Sequence, residues 1–241
     1  MIPEIGIRGQ EKLKQANILV IGAGGLGCPV LQYLTAAGVG KIGIAEYDTV
    51  DESNLQRQVL YGSADVGKLK SIIVKDRLEH LNSFVAFEIF NLRINISNAL
   101  NIIKKFDVIV DATDNLQTRY IINDSCVILN KPMVHGAIYK NEAVVSVFNY
   151  NGGPTYRCFN PSQINRQYKN PLPTQVGLMG VLPGITGTYM ANEVIKLITG
   201  TGEVLSGKIL LFNILSNSFN LISVNSIPEN HNIRDLKQNT T

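Results

Sequence analysis

Short apolar runs alternate with stretches of helical periodicity along most of the chain. Asn17-Ile-Leu-Val-Ile21 is rich in β-branched residues and ends in glycines, the pattern of a strand buried on both faces of a parallel sheet. A helix is predicted over residues 25–37. Pro29 falls in its first turn, where a missing N–H costs nothing, and Gly38 and Gly40 provide the stop. Strand 41–46, a polar loop through Val66, helix 67–82 and strand 83–92 continue the alternation. A helix near 97–104, strand 107–111, helix 115–129 and strands 133–137 and 142–150 follow. This order predicts an α/β fold built on a doubly wound, mostly parallel sheet.

Periodicity fails between residues 151 and 176. That segment holds Pro154, Pro161, Pro171 and Pro173, and its charged residues Arg157, Arg166 and Lys169 are all basic. A loop of this length in a compact domain is functional or disordered, and a basic one suits the steering of an acidic partner. A core helix is predicted over 181–199, ended by Gly200-Thr-Gly202, and 208–212 with 218–224 read as a closing hairpin. The sheet therefore gains an antiparallel C-terminal portion. Residues 1–225 form the expected domain and 226–241 a polar tail.

Composition narrows the function classes. The chain has 241 residues, 45% hydrophobic and 17% charged, which fits one folded domain and excludes disorder and coiled coil. A net charge of +3 is too small and dispersed for a nucleic-acid binder. No membrane partner is expected, because Asn192, Glu193 and Lys196 interrupt the longest apolar helix and residues 1–11 lack a signal-peptide pattern. Three scattered cysteines, Cys28, Cys126 and Cys158, argue against a disulfide framework and a cysteine-only zinc site, and for a cytoplasmic location.

Candidate chemistry begins at Gly22-Ala-Gly-Gly-Leu-Gly27, which follows a strand and opens a helix. Glycines there let phosphate oxygens approach the amides of a helix N-terminus. Glu46 ends the next strand, where a carboxylate accepts hydrogen bonds from ribose hydroxyls; alone, this pair of features points to NAD. The following loop changes that reading. Asp48, Asn54, Arg57 and then Lys70 add cationic and polar donors of the kind a triphosphate needs, although Arg57 and Lys70 are equally compatible with solvated faces. Asp111 and Asp114 are expected at the carboxyl edge of the sheet, as a Mg²⁺ ligand or as a cap for the helix from Asn115.

Five motifs in order, Gly22-Ala-Gly-Gly-Leu-Gly27, Ser53-Asn-Leu-Gln-Arg-Gln58, Gly67-x-x-Lys70, Asp111-Ala-Thr-Asp-Asn115 and Gly180-Val-Leu-Pro-Gly184, resemble the ThiF/MoeB/HesA adenylyltransferases. These are bacterial relatives of ubiquitin-activating enzymes, with a Rossmann-like sheet, and the molybdopterin-synthase adenylyltransferases are the most similar members. The resemblance spans residues 2–224. It implies a homodimer that uses ATP and Mg²⁺ to adenylate the C-terminal Gly-Gly of a ubiquitin-like sulfur carrier of the MoaD/ThiS type, in molybdopterin or thiamine biosynthesis. It places Gly24 and Gly25 against the nucleotide, Glu46 on its ribose, Asn54, Arg57 and Lys70 on its phosphates and Asp114 on magnesium. Arg57, Lys70 and Asp114 become the catalytic candidates, and Gly22, Gly27, Asp48, Ser53, Leu55, Gln56 and Asn115 complete the nucleotide-binding set.

The chain departs from that pattern in three places. Of two zinc-binding Cys-x-x-Cys pairs, only Thr155-Tyr-Arg-Cys158 survives, so no zinc is expected. The stretch Pro171-Leu-Pro-Thr-Gln-Val-Gly177 lacks the cysteine used for thioester or persulfide chemistry, and the usual arginine arm ahead of Pro3 has no counterpart in Arg8. A nucleotide-binding adaptor and an NAD-dependent oxidoreductase are therefore the rival readings. Cys28 and Cys126 read as small buried hydrophobes and Cys158 as the reactive thiol. His135 reads as a structural histidine or one that reaches the nucleotide, and His80 and His231 have no partner visible in sequence.

Overall fold

A computed structural model describes residues 2–161 and 177–236. Its eight-stranded sheet has the order β3-β2-β1-β4-β5-β6-β7-β8. The strands are β1 (Asn17–Ile21), β2 (Lys41–Ala45), β3 (Ala86–Phe90), β4 (Val108–Asp111), β5 (Met133–Tyr139), β6 (Glu142–Phe148), β7 (Lys208–Asn213) and β8 (Ser218–Ser223). The first five in spatial order are parallel and the last three add antiparallel to β5, as the predicted closing hairpin requires.

The helices are α1 (Gly6–Gln15), α2 (Gly27–Ala36), α3 (Lys70–Leu81), α4 (Ala99–Ile103), α5 (Leu116–Ile128), α6 (Tyr156–Phe159) and α7 (Val181–Thr199). Alternation along β1 shows how they cover the sheet. Ile18 and Val20 join the core beneath α1, α2, α3 and α7, whereas Leu19 and Ile21 join the one beneath α4 and α5. Val108, Val110 and Ile109 of β4 divide the same way, so both faces of the central strands are dry.

Four differences from the predicted elements have local causes. Helix α1 was not expected, because only Gly9 and Leu13 are buried and the rest of its surface is polar. Helix α3 starts at Lys70 and not at 67, since Gly67 is left-handed (φ +83°) and Leu69 still bridges to Thr49. Helix α6 lies inside the predicted loop. The predicted tail contains a 3₁₀ turn, Pro228–His231, where His231 Nε2 meets Ser226 Oγ at 2.9 Å. His80 likewise has a partner, Nδ1 lying 2.7 Å from the Asp76 carbonyl.

Strand β1 is flanked by β2 on one side and β4 on the other, and the chain leaves β1 and β4 in opposite directions across the sheet. This switch point at the carboxyl ends of the strands is where an open α/β sheet offers a crevice.

Candidate functional site

One cleft occupies that switch point. Gly22, Gly24 and Gly25 after β1, Glu46, Tyr47, Asp48, Arg57 and Gln58 after β2, and Lys70 at the start of α3 form much of its wall. Leu92, Arg93 and Ile94 after β3, Thr113, Asp114 and Asn115 after β4, Thr118 and Arg119 of α5, Ile138 of β5 and Leu178 add to it.

The glycines divide their work. Gly22 takes φ +96°, and a Cβ there would lie 2.7 Å from the Ala112 carbonyl; a Cβ on Gly27 would lie 2.0 Å from the Gly22 carbonyl. These two let the loop fold tightly between strand and helix, and Gly27 does not line the cleft. Gly24, by contrast, would meet only the Gln58 side chain, at 3.6 Å, so its bareness leaves room on the cleft side. The peptide between them is fixed: Ala23 N–H donates to Glu46 Oε2 at 2.8 Å, and the Ala23 carbonyl accepts from Tyr61 Oη at 2.8 Å. Tyr61 carries no motif and sequence reasoning missed it.

Glu46 is buried, and its other oxygen accepts the Tyr47 and Asp48 amides at 2.8 and 2.9 Å. It braces both loops as well as facing the cleft. Lys70 is buried too, with Nζ 3.5 Å from Asp48 Oδ2. Arg57 is tethered through Nη1 to the Ser53 carbonyl at 3.0 Å. Ser53, Asn54, Leu55 and Gln56, expected in the nucleotide set, form the turn that carries Arg57 and do not line the cleft. Asp51 caps that turn by accepting from Ser53 N and Oγ, Leu55 packs into the core and Gln56 lies against Gly180.

The two aspartates after β4 separate. Asp111 is fully buried, with Oδ1 accepting from Thr113 N and Oγ1 at 3.1 and 2.6 Å and Oδ2 lying 2.8 Å from His135 Nδ1. Burial pushes the Asp111 carboxyl up, but His135, Arg119 and Thr113 outweigh it and hold the pKa below the ordinary carboxylate value. Burial also holds His135 below its ordinary value, against the pull of Asp111, so a neutral imidazole donates Nδ1–H to an ionised carboxylate. His135 is thus structural, and Asp111 does not emerge at the edge. Asp114 is exposed in the cleft with no hydrogen bond or ion pair among the described residues. The cap of α5 is Asn115, whose Oδ1 accepts from Thr118 N–H at 2.9 Å. Arg93 and Arg119 were also missed, since topology brings them to the cleft and no motif marks them.

The thiols sort by environment. Cys28 and Cys126 are fully buried, and burial pushes Cys28 up to about 12 and Cys126 higher still. Cys158 Sγ accepts from Thr155 N at 3.4 Å, Ile227 N at 3.3 Å and Asn230 Nδ2 at 3.5 Å. Two x-x-spaced pairs, 155/158 and 227/230, therefore meet around one sulfur, and no group of three or more His, Cys, Asp or Glu suited to a metal occurs among the described residues. Arg157 corrects the reading of a free basic loop. It sits on α6 with Nε and Nη2 each 2.7 Å from Asp124 and its guanidinium 4.8 Å over the Tyr120 ring. Arg166 and Lys169, and the cysteine-free stretch 171–176, lie outside the described residues. No helix among the described residues is long and apolar enough to cross a membrane.

Comparison with known proteins agrees with this architecture. The chain is 44% identical over 239 residues to a sulfur carrier protein adenylyltransferase of Thermus thermophilus, covering 95% of this chain and 86% of that one. It is 48% identical over 219 residues to a Porphyra purpurea protein named probable molybdopterin-synthase adenylyltransferase, covering 91% of this chain but only 57% of that longer one. Among solved structures, E. coli MccB with ATP superposes with a TM-score of 0.81 at 25% identity, over 92% of this chain and 67% of that one. The ThiF family model matches residues 1–233, so the chain belongs to the ThiF family.

Proposed function

We propose that this chain is an ATP-dependent adenylyltransferase that activates the C-terminal Gly-Gly carboxylate of a ubiquitin-like sulfur carrier of the MoaD/ThiS type, in molybdopterin or thiamine biosynthesis. One observation carries the reading: a braced glycine loop, two cations from the β2 loop and α3, and a partnerless aspartate from the β4 loop share one cleft at the switch point. A nicotinamide dinucleotide has no use for that concentration of positive charge, whereas a triphosphate does. The Thermus relative, named for the same activity and matched along most of its length, supports it.

In this reading Leu92 and Ile94 flank the adenine, Glu46 reaches the ribose with the lone pairs that the amides leave free, and Arg57 and Lys70 neutralise phosphate oxygens. The carrier carboxylate attacks the α-phosphorus, the bond to the bridging oxygen breaks and pyrophosphate departs. No general base is needed, because a carboxylate is ionised near pH 7. Asp114 is the residue that would hold Mg²⁺, a hard cation that suits a free carboxylate, and the ion would offset charge on the phosphates. The four positions around Cys158 supply one thiolate and do not fit zinc.

A homodimer belongs to the proposal, supported by an apolar groove along α7 lined by Val181, Ile185 and Tyr189. So does a cytoplasmic location, supported by three free cysteines. The deciding experiment is exchange of labelled pyrophosphate into ATP. Carrier-dependent exchange is expected; nucleotide and carrier binding without exchange would mark an adaptor, and NAD binding without ATP binding an oxidoreductase.

A further inference from the structure

The cations of the cleft are unevenly placed. Arg57, Lys70 and Arg93 come from the loops beyond β2 and β3, on one side of β1. On the other side, beyond β4 and β5, Arg119 is the one cation among the described residues that line the cleft. Two anions must meet here if ATP is to react with a carboxylate, and like charge opposes that approach. A fixed cation on the β4 side is what the second anion needs.

Arg119 is held for such a task. It lies one turn into α5, behind the Asn115 cap, with its side chain 14% exposed. Nη2 donates to the Thr113 carbonyl at 2.8 Å, and Nε is 4.0 Å from Asp111 Oδ2. That carboxylate is already engaged by Thr113 and His135, and Nε is buried without any hydrogen-bond acceptor. Of five N–H donors, one reaches the Thr113 carbonyl, and the buried Tyr156 hydroxyl also faces the guanidinium. The guanidinium is therefore oriented by protein on one edge while it lines the cleft, where its remaining donors can meet an incoming acceptor. A planar fork of donors suits a carboxylate as well as a phosphate, and with Arg57 and Lys70 on the phosphates the carboxylate is the anion left on the β4 side.

We propose that Arg119 binds the attacking carboxylate of the carrier tail and aims one of its oxygens at the α-phosphorus. This inference rests on the adenylyltransferase reading. In the step it assists, the carboxylate oxygen forms a bond to phosphorus as the bond to the pyrophosphate oxygen breaks, the leaving group takes the electron pair, and no proton moves. Thr113, itself fixed by Asp111, then acts as the positioning residue that holds the arginine.

The test uses the full chain, a nonhydrolysable ATP analogue, and a ubiquitin-like sulfur carrier made with either a C-terminal carboxylate or a carboxamide. Wild type should bind the carboxylate form roughly tenfold or more tighter. R119Q should bind both forms alike, raise the carrier KM by a similar factor and leave ATP affinity within about twofold. Should R119Q melt early, R119K, which keeps the charge but loses the fork, is expected to lose part of the preference. Retention of the full preference by a folded variant, equal binding of both forms by wild type, or a parallel fall in ATP affinity would overturn the inference. Wild type that shows no carrier-dependent pyrophosphate exchange would instead overturn the adenylyltransferase reading, and this inference with it.

Discussion

Lys70 and Asp48 form an ion pair of unequal partners, with Nζ 3.5 Å from Oδ2, the lysine side chain 5% exposed and the carboxylate 52%. Water screens the aspartate, so the buried ammonium is only partly compensated and its field extends into the cleft. It is held at the first residue of α3, whose amide donates to the Asp48 carbonyl at 3.0 Å.

A buried charge with a weak partner contributes little to stability and much to an incoming anion. Lys70→Met is therefore expected to keep or raise the melting temperature while pyrophosphate exchange falls about a hundredfold or more. Arg57→Ala, which removes only a tether to the Ser53 carbonyl, should behave alike. Exchange within about threefold of wild type would take that residue off the phosphates.

Much of this was legible because local and tertiary signals agree. Helix α7 runs from Val181 to Thr199 as its pattern predicts, and Gly200, left-handed at φ +75°, ends it where the glycine stands in sequence. The glycine loop, Glu46, Arg57, Lys70 and Asp114, which line one cleft, could be singled out because each sits in a local motif. Tyr61, Arg93 and Arg119 were not, because each enters through topology: Tyr61 reaches back 38 residues to the Ala23 carbonyl, and Arg119 projects from the fourth strand-helix unit, β4 and α5. Residue type and spacing left Asp111 and Asp114 equivalent until the resemblance singled out Asp114, and strand burial separates the carboxylate beneath the site from the one within it.

The buried Asp111–His135 pair makes stability depend on pH in a defined direction. His135 has a folded pKa below its ordinary 6.5, so below that pH the unfolded chain takes up a proton that the folded chain refuses. Its contribution is complete above pH 6.5 and is lost as pH falls, at up to about 1.4 kcal/mol per unit. Asp111, also lowered, adds a second loss below about pH 3.8, as acid protonates the unfolded carboxyl first and the folded one later. His135→Gln, which keeps a donor for Asp111, should flatten the fall of denaturation midpoints that begins below pH 6.5. An unchanged slope would mean that His135 is charged in the folded protein.

Cys158 should be the first of the three thiols to react. Burial pushes its pKa up, but hydrogen bonds from Thr155, Ile227 and Asn230 outweigh it and leave the thiol below its ordinary value, while Cys28 is pushed up to about 12. Iodoacetamide at pH 8 is expected to label Cys158 alone in the folded protein, located by peptide mass mapping. The same bonds pin the 3₁₀ turn Pro228–His231 to α6, so Cys158→Ala should speed hydrogen exchange at the Ile227 and Thr155 amides with little change elsewhere. Labelling of Cys126 at a matching rate would contradict the dry environment around α5.

Arg157 supplies the sharpest contrast between a charge read in sequence and one placed in the fold. A basic loop suggests a docking surface, yet this guanidinium lies 4.8 Å over the Tyr120 ring and forks onto both oxygens of Asp124, with side chains 15% and 6% exposed. Asn123 beside it accepts the Tyr156 amide at 2.8 Å, so α6 is fastened to α5 at two adjacent residues. Removing one partner of a buried pair strands the other, which costs about 3–5 kcal/mol. Arg157→Ser should lower stability by that order in urea titrations, almost independently of salt, whereas a solvent-facing docking charge would show steep salt dependence and no stability loss. Asp124→Asn should be similarly costly, and the double variant should cost less than the two singles together because neither charge is left unpaired. Weakened carrier binding by Arg157→Ser at an unchanged melting temperature would return this arginine to the docking surface. Otherwise the case for a basic docking loop rests on Arg166 and Lys169 alone.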